Sequence, residues 1–170
     1  MDKKAFLSSD DGKRIKLGAF HPEVFLARGD VELTKVSLDV RLLGDAYRPW
    51  YYLANGGRHQ LMEYVAARAN ADARSMRVSQ LEIYNLHPER QSRIERYMGE
   101  HRGGQLPRAP LILAEDIETH RTLILDGNHT ASALYRNHLA GVEYGPIPAY
   151  LIRGFRLDAM LGDMVIVNRG

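Results

Sequence analysis

The chain has 170 residues, of which 45% are hydrophobic and 26% charged, and it contains no cysteine. This composition is typical of a single folded globular domain and argues against a disordered or fibrous protein. The lack of cysteine excludes disulfides, cysteine-ligated zinc and thiol catalysis. No apolar run approaches the roughly 20 residues that cross a bilayer, and the N-terminus lacks the apolar centre of a signal peptide. We therefore expect a cytoplasmic protein with no membrane partner.

The charge balance is mildly basic, with a formal net charge of +2 and an isoelectric point of about 8.9. Such a balance permits nucleic-acid binding but does not indicate it, because strong binders usually concentrate more positive charge. Charge alone therefore leaves the class of partner open.

Residues 1–75 are predicted to form an N-terminal extension that packs on the core. Short apolar runs at 15–17, 24–27 and 31–43 alternate with turn residues, which predicts short strands. The apolar positions of 58–74 recur at helical spacing, which predicts a helix on the main sheet. The aromatic cluster at 47–52 includes Arg48. It suits base stacking or a protein partner, although core packing is the more frequent role of such residues.

Residues 76–170 show a regular order of elements and are predicted to form the core. Pro88 suits the first position of a helix, because its missing N–H costs nothing there. The pattern predicts strands over 78–86, 107–113, 121–125 and 147–152, with helices from Pro88 to about His101 and over 128–139. A short helix near 157–161 and a terminal strand at 164–167 are predicted to follow.

The junction at 125–130 is the motif in this sequence that carries chemistry. An apolar strand runs into the turn pair Asp126-Gly127, and Asn128 or Thr130 can cap the helix that follows. A helix N-terminus there points unsatisfied backbone N–H groups and the positive end of the helix dipole at one place, which suits a phosphate. Spacing alone fits a capped turn without a ligand equally well. Further side-chain donors follow in the same stretch: His129, Thr130 and Ser132.

The order and spacing of these parts resemble the ParB/sulfiredoxin superfamily, in the segments LEIYNLHPERQSRIERYMG, RTLILDGNHTASALYRNHLAG and GPIPAYLIRG. The resemblance covers roughly 78 residues and none of the N-terminal part. It implies an α+β domain with a small mixed sheet and packed helices, in which this turn binds nucleotide phosphates. The nucleotide is ATP in sulfiredoxin and the related serine kinases, and CTP in the chromosome-partition proteins.

The resemblance also implies which residues line the phosphate site: Gly127, Asn128 and His129. Asn128 takes the place of the reactive cysteine of sulfiredoxin, which excludes reductase activity. Thr130 stands where the family usually has arginine, which predicts weaker binding of a triphosphate unless another cation compensates. Ser92 matches a phosphate-contacting serine of sulfiredoxin, and Arg96 lies one turn further along the same helix face.

Carboxylates near this turn are candidates for catalysis and metal binding. Asp126 and Glu115 are oxygen ligands of the kind that holds Mg²⁺ beside a nucleotide. Asp126 equally suits the stabilisation of its own turn. Asp126 and Glu89 are the candidates for a catalytic base.

The densest group of arginines lies on the first core helix and the loop after it: Arg90, Arg93, Arg96, Arg102 and Arg108. If the protein acts on DNA, these side chains would form one basic face. Glutamates interleave with them, and Glu89 and Arg93, four residues apart, suit a solvated ion pair on the helix surface. The sequence therefore leaves DNA binding open.

The predicted function is that of a nucleotide-binding protein that hydrolyses ATP or another NTP and binds or cleaves DNA, as ParB-like nucleases on plasmids do. The chain lacks the long helix-turn-helix and dimerisation regions of a partition protein, which argues against a role in segregation. Small plasmid proteins of this superfamily that inhibit conjugative or effector-DNA transfer, the Osa type, match its size. The alternatives are a small-molecule (serine-type) kinase, with Glu89 or Asp126 as base, and a non-enzymatic interaction module, which Thr130 favours.

Overall fold

Four strands form the central sheet in the computed structural model, which describes residues 1–14, 26, 29–46, 51–52, 58–59, 77–80, 88–118 and 120–155. The strands are β1 (Glu32–Leu38), β4 (Leu111–Asp116), β5 (Thr122–Asp126) and β6 (Ile147–Phe155), and their order in the sheet is β1-β6-β4-β5. β6 pairs parallel with β4 and antiparallel with β1, and β4 pairs antiparallel with β5. The predicted α+β class with a small mixed sheet is therefore confirmed.

Two longer helices and several short elements complete the described fold. The helices are α3 (Pro88–His101) and α4 (Asn128–Leu139). The short elements are α1 (Lys3–Ser8), α2 (Asp10–Lys13), two 3₁₀ helices (Val40–Asp45 and Val78–Gln80) and the paired strands β2 (Tyr51–Tyr52) and β3 (Arg58–His59). None of the helices that the structure describes is both long and apolar enough to cross a membrane.

The hydrophobic core lies between α4 and the sheet. Ala131 and Leu134 of α4 pack there, in one cluster with buried residues of β4, β5 and β6. On the other side of α4, Ala133 packs against Ile94 of α3. Burial of these small and aliphatic side chains fixes α4 against both neighbours.

A hydrogen-bond network fastens the C-terminal end of α3 to α4. The Asn137 amide nitrogen donates to the Met98 carbonyl oxygen at 2.8 Å and to the Tyr144 hydroxyl at 3.0 Å. The Tyr144 hydroxyl in turn donates to the carbonyl oxygen of His101 at 2.8 Å. Asn137 is buried, so these bonds compensate for the removal of its amide from water.

The predicted boundaries of both core helices are confirmed, whereas several strand predictions are wrong at their ends. The strand predicted at 107–113 begins only at Leu111, because Pro107 and Pro110 have no N–H to give to the sheet. The strand predicted at 31–43 ends at Leu38, where Asp39 caps a 3₁₀ helix by accepting from the Arg41 N–H at 2.9 Å.

Other predicted elements fall partly or wholly on residues that are not described. The first described part of the predicted strand 78–86 is a 3₁₀ helix, and the predicted helix 58–74 begins instead with the two residues of β3. Leu26 is helical where a strand was predicted. The remainder of these segments lies outside the described residues, as do 15–17, 157–161 and 164–167.

The N-terminal part of the chain contributes to the main sheet. β1 pairs with β6 from Glu32 opposite Arg153 to Leu38 opposite Ile147. We call residues 1–14 the N-terminal strap. Its Phe6 is buried, and the centroids of the Phe6 ring and the Tyr150 ring of β6 lie 4.8 Å apart in an edge-to-face arrangement. The strap and β1 therefore lie against the last strand of the predicted core.

We predict that Gly154→Ala destabilises the protein by clearly more than Gly141→Ala. Both glycines have left-handed φ angles, +96° and +91°, so both alanines should cost about 1 to 2 kcal/mol of backbone strain. A Cβ at Gly154 would also collide with the carbonyl oxygen of Asp30, whereas nothing lies within 4 Å of one at Gly141. The collision should add about 1 to 3 kcal/mol.

Urea unfolding of the two variants and the wild type measures this difference. Equal losses of stability would show that the chain beside β6 moves aside at no cost.

Candidate functional site

A cleft of about 1090 Å³ opens beside the N-terminus of α4. One wall is the turn at 126–130, and another is the loop at 105–111 that leads into β4. The third wall is one face of α3, formed by Arg93, Tyr97, Glu100 and His101. Arg14 of the N-terminal strap completes the lining. The structure therefore brings the predicted phosphate turn, the first core helix and the strap to one cleft.

Gly127 joins β5 to α4 in a left-handed conformation, with φ +89° and ψ +21°. It is the N-cap of α4, and no side chain caps the helix there. The prediction that Asn128 or Thr130 caps α4 is therefore wrong, because both residues already lie within the helix. The first backbone N–H groups of α4 therefore have no side-chain cap, and the residues that carry them line the cleft at the positive end of the helix dipole.

The predicted phosphate residues divide between the cleft and the core. Asn128, His129 and Thr130 line the cleft together with Gly127. The oxygen Oδ1 of Asn128 is buried and has no hydrogen-bond partner among the described residues. Ser132 lies outside the cleft, fully buried, with its hydroxyl donating to the Asn128 carbonyl oxygen at 2.8 Å. This bond to the preceding turn of the helix removes Ser132 from reach of a ligand in the cleft.

Arg14 brings a cation to the same turn. Its Nη1 lies 3.1 Å from Oδ2 of Asp126, and its Nη2 lies 3.1 Å from Oδ1 of Asp11 and donates to the Pro110 carbonyl oxygen at 2.8 Å. The side chains of Arg14 and Asp126 are 31% and 30% exposed. The Nε of Arg14 is buried and has no hydrogen-bond acceptor among the described residues.

Burial raises the pKa of Asp126 above its ordinary value. The Arg14 guanidinium and the Gly127 N–H act in the opposite direction, but they do not outweigh burial and the nearby Asp11. A carboxyl of this kind is closer to neutrality than an exposed one, which is a property of proton-transfer residues in enzyme sites.

Asp126 and Glu115 do not form the predicted magnesium pair. Asp126 lies opposite Ile112 in the β4–β5 ladder, whereas Glu115 lies opposite Thr122. Three residues along a strand span about 10 Å, too far for two ligands of one ion. Within the described ranges, no group of three or more histidine, aspartate or glutamate side chains is arranged to hold a metal.

Glu115 instead takes part in a surface network at the other end of the sheet. Its Oε2 accepts from Nε of Arg153 at 2.6 Å, and its Oε1 lies 3.3 Å from Nδ1 of His120. Burial alone would raise the pKa of Glu115, but the hydrogen bonds from Arg153 and His120 hold it below its usual value. The shift is therefore opposite to that of Asp126.

The side chains of α3 are distributed differently from the prediction. Glu89, Ser92 and Arg96 are exposed and do not line the cleft. Arg93 does line it, and its Nη2 lies 3.3 Å from Oε1 of Glu89. Arg96 lies 3.5 Å from Glu100 on the same helix. Exposed pairs of this kind contribute little to stability, but they weaken the positive field that DNA binding by α3 would need.

Most of the other arginines predicted to bind DNA lie outside the cleft. Arg102 and Arg108 are exposed after the end of α3, and only Arg108 of the two lines the cleft. Arg90 is half-buried on α3 and does not line the cleft. Of the aromatic cluster at 47–52, the structure describes only the backbone of β2, so a partner role stays a prediction.

An aromatic pair lines the cleft on α3. The rings of Tyr97 and His101 are stacked, with centroids 6.3 Å apart and planes 21° from parallel. Nδ1 of the buried His101 lies 3.0 Å from the Gln105 carbonyl oxygen. Neither residue is among the site candidates predicted from the sequence. Arg93, Tyr97 and His101 follow one another at intervals of four residues, and this spacing is the signal that could have placed all three on one helix face.

We predict opposite pH responses for Asp126→Asn and Glu115→Gln. A carboxyl whose pKa is raised in the folded state destabilises the fold as the pH rises through that pKa. A carboxyl whose pKa is lowered stabilises the fold above the unfolded-state pKa, and this contribution is lost on acidification. Between about pH 3 and about pH 7, the stability of Asp126→Asn relative to wild type should therefore rise, and that of Glu115→Gln should fall.

Urea unfolding at several pH values measures both trends, and the glutamate variant is the matched control. Trends of the same sign would contradict the assigned environment of Asp126.

Comparisons of the chain with protein-family models, with curated proteins and with solved structures found no match. The resemblance to the ParB/sulfiredoxin superfamily therefore stays a prediction from the sequence. The mixed four-stranded sheet, the uncapped N-terminus of α4 and the cleft beside it are features of the structure itself.

Proposed function

We propose that the protein binds a nucleotide in this cleft, with the phosphates at the N-terminus of α4, and hydrolyses it. The observation that carries the proposal is the uncapped start of a twelve-residue helix at a left-handed glycine, opening into a cleft with arginines on its walls. Backbone N–H groups and the helix dipole at such a terminus favour a phosphate. Gly127 adopts the left-handed conformation that lets this helix start directly after β5.

The charges on the cleft walls support an anionic ligand. Arg14, Arg93 and Arg108 line the cleft, against the carboxylates of Asp126 and Glu100. Guanidinium groups bind phosphate oxygens through paired N–H donors. The three arginines come from the strap, from α3 and from the loop before β4, so they reach the cleft from different sides.

The size and the aromatic part of the cleft support a nucleotide in preference to a free phosphate. Sites for small molecules typically enclose about 300 to 1,000 Å³, and this cleft of about 1090 Å³ has room for a base and a sugar as well. Tyr97 and His101 provide aromatic surface on its α3 wall. Stacking of a base on an aromatic side chain contributes about 1 to 3 kcal/mol.

Asp126 is the residue that we assign as base for hydrolysis. In this step a water oxygen bonds to the terminal phosphorus, the bond to the leaving phosphate oxygen breaks, and Asp126 accepts a water proton. Asp126 lines the cleft at the phosphate end, whereas Glu89 is exposed, lies outside it and pairs with Arg93. The proposed step uses the carboxylate of Asp126 without a metal, because Asp126 and Glu115 lie too far apart to share a magnesium ion.

We predict that the wild-type protein binds ATP, ADP or CTP in calorimetric titrations, performed with and without Mg²⁺. His129→Ala should weaken binding by about 1 to 3 kcal/mol, because a hydrogen bond to a charged phosphate is lost. His138→Ala is the matched control, since His138 is a histidine of the same helix at its opposite end. We expect this control to leave binding unchanged.

Absence of binding for all three nucleotides would contradict the proposal. Equal losses in the two histidine variants would remove His129 from the site.

We predict that Asp126→Asn lowers the rate of phosphate release by about 10²- to 10⁴-fold, the usual contribution of a general base. Its nucleotide affinity should be unchanged or higher, because a negative charge beside the phosphates is removed. A colorimetric phosphate assay and the titration above measure the two effects separately. Nucleotide binding without turnover by the wild type would instead support a non-enzymatic interaction module.

A further inference from the structure

We infer that Arg14, in the N-terminal strap, is itself a ligand of the phosphates. The inference rests on the proposed function, because it assigns a residue to the same anion site. Under this inference, a residue of the strap binds the ligand in the cleft.

The position of Arg14 supports this role. Its guanidinium lies beside the turn that starts α4, with Nη1 3.1 Å from the Asp126 carboxylate. Carboxylates on two sides hold it there, since Nη2 lies 3.1 Å from Asp11. Its Nε lacks an acceptor among the described residues although it is buried. Arg14 also lines the cleft and its side chain is 31% exposed, so part of the side chain is accessible to a phosphate bound there.

The strap has other attachments, so Arg14 is not needed merely to fasten it. Nζ of Lys3 donates to the Val31 carbonyl oxygen at 2.7 Å, and Phe6 is buried against Tyr150. The Tyr150 hydroxyl also donates to Oδ2 of Asp11 at 2.9 Å. These contacts connect the strap to β6 and to the residue before β1, and they leave the guanidinium of Arg14 at the edge of the cleft.

Charge gives Arg14 two separable roles in anion binding. Without Arg14, the carboxylates of Asp126 and Asp11 would stand beside the phosphates unneutralised and repel them. Arg14 therefore neutralises Asp126 whether or not it contacts the phosphate. Our inference adds direct hydrogen bonds from Arg14 to the phosphate. A variant that also lacks the charge of Asp126 separates the two roles.

The test is titration of the folded variants with ATP and with inorganic pyrophosphate. We expect Arg14→Ala to weaken both by about 10- to 100-fold, as for loss of a charge-assisted hydrogen bond, and Arg14→Lys to give an intermediate loss. Lys13→Ala, which removes the same charge from the neighbouring and more exposed residue, should bind like wild type. Arg14→Ala combined with Asp126→Asn should remain weaker than Asp126→Asn alone.

Three results would overturn the inference. If Arg14→Ala and Arg14→Lys bind as Lys13→Ala does while the wild type binds, only the role of Arg14 fails. If the double variant recovers the affinity of Asp126→Asn, Arg14 is a neutralising residue and not a ligand. If the wild type binds neither ATP nor pyrophosphate, the proposed function itself fails, and the role of Arg14 fails with it. Circular dichroism confirms the fold of each variant, and Arg14→Lys keeps the test decisive if Arg14→Ala does not fold.

Discussion

The left-handed turn at Gly127 is the constraint on which the candidate site depends. At φ +89° a side chain would be strained, and a Cβ would lie 2.5 Å from Cδ2 of Leu111. Glycine therefore lets β5 end and α4 begin within one residue. As a result, the carboxylate of Asp126 and the uncapped start of α4 lie at the same place. A longer connection would separate the charged group from the helix terminus and divide the proposed phosphate site.

The second constraint is long-range, since the strap and β1 bring the N-terminal part of the chain to the same end of the molecule. β1 pairs with β6 as an edge strand, and the strap packs on Tyr150 of β6. Arg14 thereby meets Asp126, a residue 112 positions later in the chain. A domain that began at residue 76 would keep the turn but lack this cation. The extension and the core therefore differ in their sequence patterns, but residues of both line the described cleft.

Local patterns predicted the core helices because their signals are local: Pro88 at a first helical position, and the spacing of the apolar residues along each helix. The turn at Gly127 was predicted for the same reason, although its cap was not, since Asn128 has a favourable cap side chain yet lies within α4. Ser132 was misplaced because its hydroxyl has a nearer partner in its own helix. Arg14 could not be predicted, because no local pattern records a contact between such distant residues. The distance between Glu115 and Asp126 could not be predicted either, because it depends on the register in which β4 pairs with β5.

Arg14 and Asp126 are only two residues, but they are paired at the start of α4 and therefore have a large effect on the charge of the cleft there. The helix terminus contributes roughly half a positive charge, and the carboxylates of Asp126 and Glu100 oppose the lining arginines. Arg93 also forms an ion pair with Glu89, which reduces its attraction for an anionic ligand. Beside the start of α4, Arg14 is paired with Asp126, and burial raises the pKa of that carboxyl, which moves it towards its neutral form. In the proposed function, this pair would place a cation beside the bound phosphate and keep a base within reach of it, the combination that phosphate-ester hydrolysis requires.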